Sequence, residues 1–234
     1  MSSIDDQDLK KRTLLGTPGA GGRNIGRPVI VGTERRVVKP ERVESDRIKD
    51  EVALLENALD DLIREFEELK SVNNEEDVSD VMDAQIQVLR DPELKKSILA
   101  KIEKERFKAV YAIFSSFNEY IQVLETSKIN WLKDRTIDIV SIRDQLIDTA
   151  RNKQPDYIHA EGGVIFADEL SPTEMIKLSR FNLAGIVTEK GGLTSHVVIL
   201  AQSLGIPCVI GVDWKRMSPE DYDLVMIDGD VGSV

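Results

Sequence analysis

The chain has one cysteine, Cys208, and two histidines, His159 and His196, in 234 residues. A single thiol excludes an internal disulfide and fits a reducing compartment. Chemistry that depends on imidazole has two candidate positions. Positive charge is in deficit, with 31 Lys and Arg against 42 Asp and Glu, a net charge of −11. That balance argues against a nucleic-acid or anionic-membrane surface and favours a basic protein partner or none. The opening MSSIDDQDLKKR has no apolar signal core, and no run of about 18 apolar residues occurs anywhere. A cytoplasmic protein without a membrane span is expected.

Glycine is missing between Gly32 and Gly162, and proline occurs in that interval only at 40, 92 and 155. What fills it is helical periodicity. Ile48, Val52, Leu55, Leu59, Leu62, Phe66 and Leu69 alternate spacings of four and three, a heptad seam on a helix of about seven turns. Val78, Met82, Ile86 and Leu89 continue the period on a second helix, which the Asp91-Pro92 step interrupts. Pro92 suits the first turn of a third, with Leu94, Ile98 and Ile102 inside. Val110, Phe114, Phe117, Ile121 and Leu124 mark a fourth. Ile129, Leu132, Ile139, Ile142 and Leu146 mark a fifth. The interval reads as an all-α bundle.

The flanks read differently. LLGTPGAGGRNIGRPVIVG, residues 14–32, is dense in glycine and predicts two short strands joined by a Gly/Pro loop. After about residue 152, strands are expected at 163–167, 184–188, 206–211 and 224–227, with helices at 172–180 and 195–204. Strand–helix alternation implies an α/β layer with partly parallel strands. The early strands have no sheet of their own and are expected to join it. The domain expectation is a flexible N-terminus at 1–12, an α/β domain from 13–39 plus 152–234, and an inserted helical domain at 40–151.

The stretch TEKGGLTSHVVILAQSLGIPCVIG, residues 188–211, reads as strand, double-glycine turn, cap, helix and strand. Thr194 or Ser195 can cap the helix, which places His196 in its first turn. Gly191 and Gly192 let the backbone bend and keep Cβ atoms away from whatever docks there. A helix N-terminus offers unpaired N–H groups and partial positive charge, so a phosphate on His196 is favoured. The alternative is a histidine satisfied at a helix start. His159 lies in a turn-like stretch without convergent partners, and Cys208 reads as a small buried hydrophobe.

GGLTSH, an apolar helix and GIPCVIG resemble the phosphohistidine motif of the phosphoenolpyruvate-utilising enzymes. Within that family the chain resembles the N-terminal half of Enzyme I of the bacterial phosphotransferase system. TPGAGGRNIGRPV resembles that group's first strands, and Leu170-Ser-Pro-Thr-Glu174, Leu89-Arg-Asp-Pro-Glu-Leu94 and Leu132-Lys-Asp-Arg-Thr-Ile-Asp138 resemble further segments in the same order. The resemblance implies an α/β swivelling phosphohistidine domain with an inserted all-α, carrier-binding helical bundle. It implies phosphoryl transfer, a kinase-type transferase activity, from phosphoenolpyruvate through His196 to the carrier HPr. Gly191, Gly192, Thr194, Ser195, Ser171 and Arg135 are the supporting candidates. Ser171 can also be a plain helix cap, and Arg135 can simply pair with Asp134 or Asp138.

Residues 41–90 carry six Lys and Arg against sixteen Asp and Glu, a net charge of −10. Such asymmetry suits a basic partner. By the resemblance, Met82, Asp83, Gln85, Ile86, Leu89 and Asp80 are candidates for docking HPr, unless the apolar ones merely fill the bundle. The chain itself shows no metal cluster. Magnesium is expected only for the phosphoenolpyruvate step, which needs a C-terminal domain that also dimerises, so a monomer is expected here. Leu193 and Gln202 stand where Enzyme I commonly has arginine, Val197 where a small residue is usual, and Gln85 where histidine is frequent. These departures leave open a docking paralogue without efficient transfer. A swivelling domain of a synthase or dikinase is the other alternative, and the helical insertion counts against it.

Overall fold

The computed structural model describes residues 13–32, 37–72, 76–126, 136–153, 159–193 and 195–234. The described residues within Met1–Thr33, His159–Leu170 and Leu178–Val234 form one compact unit. Those within Glu34–Ile158 and Ser171–Lys177 form the other.

The first unit is α/β. Its five-stranded sheet has the order β1-β6-β5-β4-β3, built from β1 (Thr17–Ala20), β3 (Pro28–Val31), β4 (Val164–Ala167), β5 (Gly185–Thr188) and β6 (Cys208–Ile210). Strands β3 to β6 are parallel, and β1 closes one edge antiparallel to β6. Every residue of β4, β5 and β6 is buried, which is why these strands read as unbroken apolar runs rather than as alternating ones. A separate two-stranded ribbon pairs β2 (Arg23–Gly26) with β7 (Val225–Asp228). The glycine-rich stretch therefore makes three strands, not two. Gly22, at φ +115°, turns the chain between β1 and β2, which sends β1 and β3 to opposite edges of the main sheet. Strand β7 joins β2 instead of the sheet. Its approach explains Gly185, where a Cβ would lie 2.6 Å from Ile227 Cγ2. Trp214 donates its indole N–H to the Ala167 carbonyl at 2.9 Å and lies in the core with Phe166, Val187 and Val209.

The second unit is helical: α1 (Ile48–Val72), α2 (Glu76–Leu89), α3 (Pro92–Glu103), α4 (Ala109–Glu125) and α5 (Thr136–Ala150). Its core takes Leu55, Leu59, Leu62, Phe66 and Leu69 from α1, with Met82, Ile86, Ile98, Ile102, Ile142 and Leu146. Asp91 caps α3, its Oδ1 accepting from the N–H groups of Glu93 and Leu94 at 2.7 and 3.1 Å ahead of Pro92. On α4 the expected seam holds at Phe117 and Ile121, which are buried, but not at Val110, Phe114 and Leu124, which are half-buried. Ile113 and Phe117 fill the core, whereas Phe114 is half-buried with the Arg143 guanidinium 5.0 Å from its ring centroid. Ile129 and Leu132 lie outside the described residues.

Helix α6 (Pro172–Ser179) begins in the second unit and ends in the first. The sequence reading put residues 171–177 in the α/β part, and polar packing decides otherwise. Ser171 and Ser141 share a 2.7 Å hydroxyl bond, and Lys177 reaches Gln145 Oε1 at 2.6 Å and Glu65 at 2.8 Å. Among the described residues, no helix is long and apolar enough to cross a membrane.

Candidate functional site

His196 opens helix α7 (His196–Ser203) and its side chain is exposed. Ser195 is the cap, extended at φ −69° and ψ 147°, with its Oγ accepting from the Val198 N–H at 3.4 Å. The Ser195 N–H in turn donates to the Gly192 carbonyl at 3.0 Å, closing a turn immediately ahead of the histidine. Gly191 sits at φ +125°, a conformation for which glycine is the natural residue, while a Cβ at Gly192 would meet nothing within 4 Å. The buried face of α7, from Val197, Val198, Leu200 and Ala201, seats it on the α/β unit. Its far end is closed by Gly205 at φ +65°, with the Ile206 N–H on the Ala201 carbonyl and the Gly205 N–H on that of Gln202. This paired arrangement holds the last carbonyls of the helix. The helix is thus fixed at both ends, and its first residue is an exposed histidine.

The loop before it continues the sheet. Glu189 and Lys190 donate their N–H groups to the carbonyls of Ala167 and Asp168 at 3.1 and 2.8 Å. Three groups there went unremarked in the sequence: Asp168, Glu189 and Lys215. The Lys215 ammonium lies 2.7 Å from Asp168 and 2.8 Å from Glu189, and these hydrogen bonds hold its pKa above the ordinary lysine value. Acids directly after two buried apolar runs were a visible signal, but the lysine that pairs them is contributed from elsewhere in the chain. Glu169 has its carboxyl pushed up by burial, partly offset by Lys190. Gln202, where arginine was expected from the resemblance, donates to the Gly19 carbonyl at 2.7 Å and ties α7 to β1.

Gly191, Gly192, Ser195 and His196 are therefore brought together, whereas Thr194 and Arg135 lie outside the described residues. Ser171 belongs to the helical unit. It forms a reciprocal cap with Glu174, giving its N–H to that carboxylate at 2.8 Å while its Oγ accepts the Glu174 N–H at 3.2 Å. Burial raises the Glu174 pKa, against the lowering effect of the bonds its carboxylate accepts from the Ser171 N–H and hydroxyl.

The docking candidates need correction. Met82, Ile86 and Leu89 are buried, so they pack the bundle and offer no apolar surface to a partner. Gln85 is 3% exposed and accepts a hydrogen bond from Thr173 Oγ1. Asp83 pairs with Lys70 at 2.6 Å, which leaves Asp80 exposed. The seam that marks a helix as amphipathic marks first the face turned inward. His159 is exposed in a turn. Cys208 is buried, its thiol pushed up to about 12 by burial. Among the described residues, no group of three or more His, Cys, Asp or Glu is placed to hold a metal ion, and the Asp168 and Glu189 carboxylates face a lysine.

A capped helix presenting an exposed histidine beside a glycine turn, in an α/β unit accompanied by a helical one, defines a class with known members. The chain belongs to the phosphoenolpyruvate-utilising enzymes: residues 15–135 match the profile of the PEP-utilising enzyme N-terminal region, and residues 159–232 match that of its mobile domain. Within the family the similarity points to Enzyme I. The phosphoenolpyruvate-protein phosphotransferase of Geobacillus stearothermophilus is 30% identical over 97% of this chain, which spans 40% of that protein's length. A solution structure of Enzyme I superposes with a TM-score of 0.73 at 25% identity, covering 94% of this chain and 92% of the other. The N-terminal domain of a nitrogen-type Enzyme I superposes at 0.70 with 22% identity, covering 94% and 91%, a likeness of fold alone.

Proposed function

We propose that this chain carries a phosphoryl group on His196, as the histidine-bearing part of an Enzyme I-type phosphotransferase. The observation that carries the reading is the exposed His196 at the start of α7, held by the Ser195 cap and left open by Gly192. In the first half-reaction an imidazole nitrogen attacks the phosphorus of phosphoenolpyruvate. The N–P bond forms as the P–O bond to enolpyruvate breaks, and the enolate leaves to become pyruvate. In the second, a histidine nitrogen of the carrier HPr attacks the same phosphorus and His196 departs. Helix N–H groups steady the transferring oxygens, and the rate comes from proximity and in-line alignment.

The phosphoenolpyruvate step requires the part of the relatives' length that this chain does not span. By the same resemblance, magnesium would serve that step. The carrier would meet the acid-rich α1–α2 region through exposed charge such as Asp80, not through Met82, Ile86 or Leu89. A cytoplasmic location accords with a free thiol.

Intact mass after mixing the chain with phospho-HPr tests the reading, beside a His196→Ala control. One acid-labile phosphoryl group, absent from the control, is expected, and phosphoenolpyruvate alone should add none. An unmodified chain that still binds HPr would replace transfer by docking, the reading that exposed Leu193 and the engaged Gln202 keep in contention.

A further inference from the structure

Asp168 and Glu189 stand at the ends of neighbouring parallel strands, just past the paired residues Ala167 and Thr188. Glu189 is three residues ahead of Gly192, whose carbonyl closes the turn onto Ser195. Two carboxylates at adjacent strand ends repel each other, and both would repel a phosphoryl dianion carried by the same loop and helix.

One lysine answers both. Lys215 Nζ lies 2.7 Å from Asp168 Oδ1 and 2.8 Å from Glu189 Oε2. These two oxygens are buried although the Asp168 and Glu189 side chains stay 29% and 33% exposed, and on that buried side the ammonium compensates both. The lysine is itself placed by its neighbour. Trp214 is pinned by its bond to the Ala167 carbonyl at 2.9 Å and meets Phe166 edge-on at 5.9 Å, and the ammonium lies 5.6 Å from the Trp214 ring centroid.

We propose that Lys215 is a positioning residue for phosphoryl transfer at His196: it masks the Asp168 and Glu189 charges so that the loop tolerates a phosphoryl dianion. The proposal rests on the phosphohistidine reading above. A cation that lowers the negative charge already present does part of the work of one that contacts the phosphate.

The test is the equilibrium constant for phosphoryl exchange between phospho-HPr and the chain, read by intact mass at low and at physiological ionic strength. Lys215→Met, which keeps an apolar stem, should lower the constant by about five- to tenfold at low salt, and by less when salt screens the charges. Adding Glu189→Gln to Lys215→Met should restore most of the loss, and Lys215→Arg should behave like the parent. Glu189→Gln alone keeps the lysine and removes one carboxylate, so it should raise the constant above that of the parent. A packing strut predicts the reverse, with losses that add, no salt dependence and a decrease for Glu189→Gln. That pattern, or an unchanged constant in Lys215→Met, overturns the proposal. A parent chain that accepts no phosphoryl group at all instead sinks the function on which it rests, so the two failures are distinguishable.

Discussion

Replacing Gly191 by alanine forces a Cβ onto a backbone at φ +125°, where L-residues rarely go. The space itself is not the obstacle, because the nearest neighbour of that Cβ would be Thr188 Oγ1 at 3.7 Å, an ordinary contact. The cost is therefore conformational, about 1–3 kcal/mol for a residue held in a sparsely populated region. At Gly192 the backbone lies outside that region and a Cβ would meet nothing within 4 Å. Alanine there should be neutral, or stabilising by about 0.5 kcal/mol through the unfolded chain. For a chain of this size about 1 kcal/mol corresponds to roughly 2–4 °C in Tm. Gly191→Ala should thus melt several degrees below the parent, or keep its Tm by shifting the turn and lose phosphoryl uptake at His196. Gly192→Ala should match the parent in melting. Thermal unfolding by circular dichroism and the phospho-HPr mass assay, run on both variants, decide the matter. Indistinguishable behaviour of the two variants in both assays would refute the reasoning.

Asp91→Ala removes the acceptor for two N–H groups of α3, so a loss of about 1 kcal/mol is expected in denaturant titration, and Asp91→Asn should recover much of it. For Cys208 burial pushes the folded pKa up to about 12, above the ordinary thiol value of 9.0, so the native state holds its proton longer than the unfolded one. Stability is then fully present below about pH 9 and falls as pH rises towards 12, by at most about 1.4 kcal/mol per pH unit from this group. The slope should be shallower in Cys208→Ala, and alkylation of the native thiol at pH 8 should follow global unfolding.

Much of the architecture was legible because it is local. The heptad seam of α1, the Pro92 start of α3 with its Asp91 cap and the Ser195 cap each depend on residues within a turn or two of one another. So does the glycine stop at Gly205. The buried strands were legible for a related reason: a strand covered on both faces has to be apolar throughout. The site was legible as far as its own loop, from Gly191 to His196, since caps and glycines declare themselves in sequence.

What escaped were matters of pairing and of facing. Periodicity shows that Met82, Ile86 and Leu89 share a helix face but not whether that face meets the bundle or a partner, and burial turned it inward. Ser171 read equally well as a cap or as a neighbour of the histidine. The cap was local and came true with Glu174, while its bond to Ser141 drew the segment to the helical unit. By itself, then, the sequence determined helix and strand, the caps and the placing of His196 at a capped helix start. Tertiary structure alone decided that β7 leaves the main sheet for β2, that Gln202 is spent on Gly19, and that Lys215 sits between Asp168 and Glu189. The physical reason is range. Backbone preference and helix capping act over a few residues, whereas a salt bridge or a strand pairing joins groups far apart in the chain, whose meeting is settled only when the apolar surfaces between them have packed.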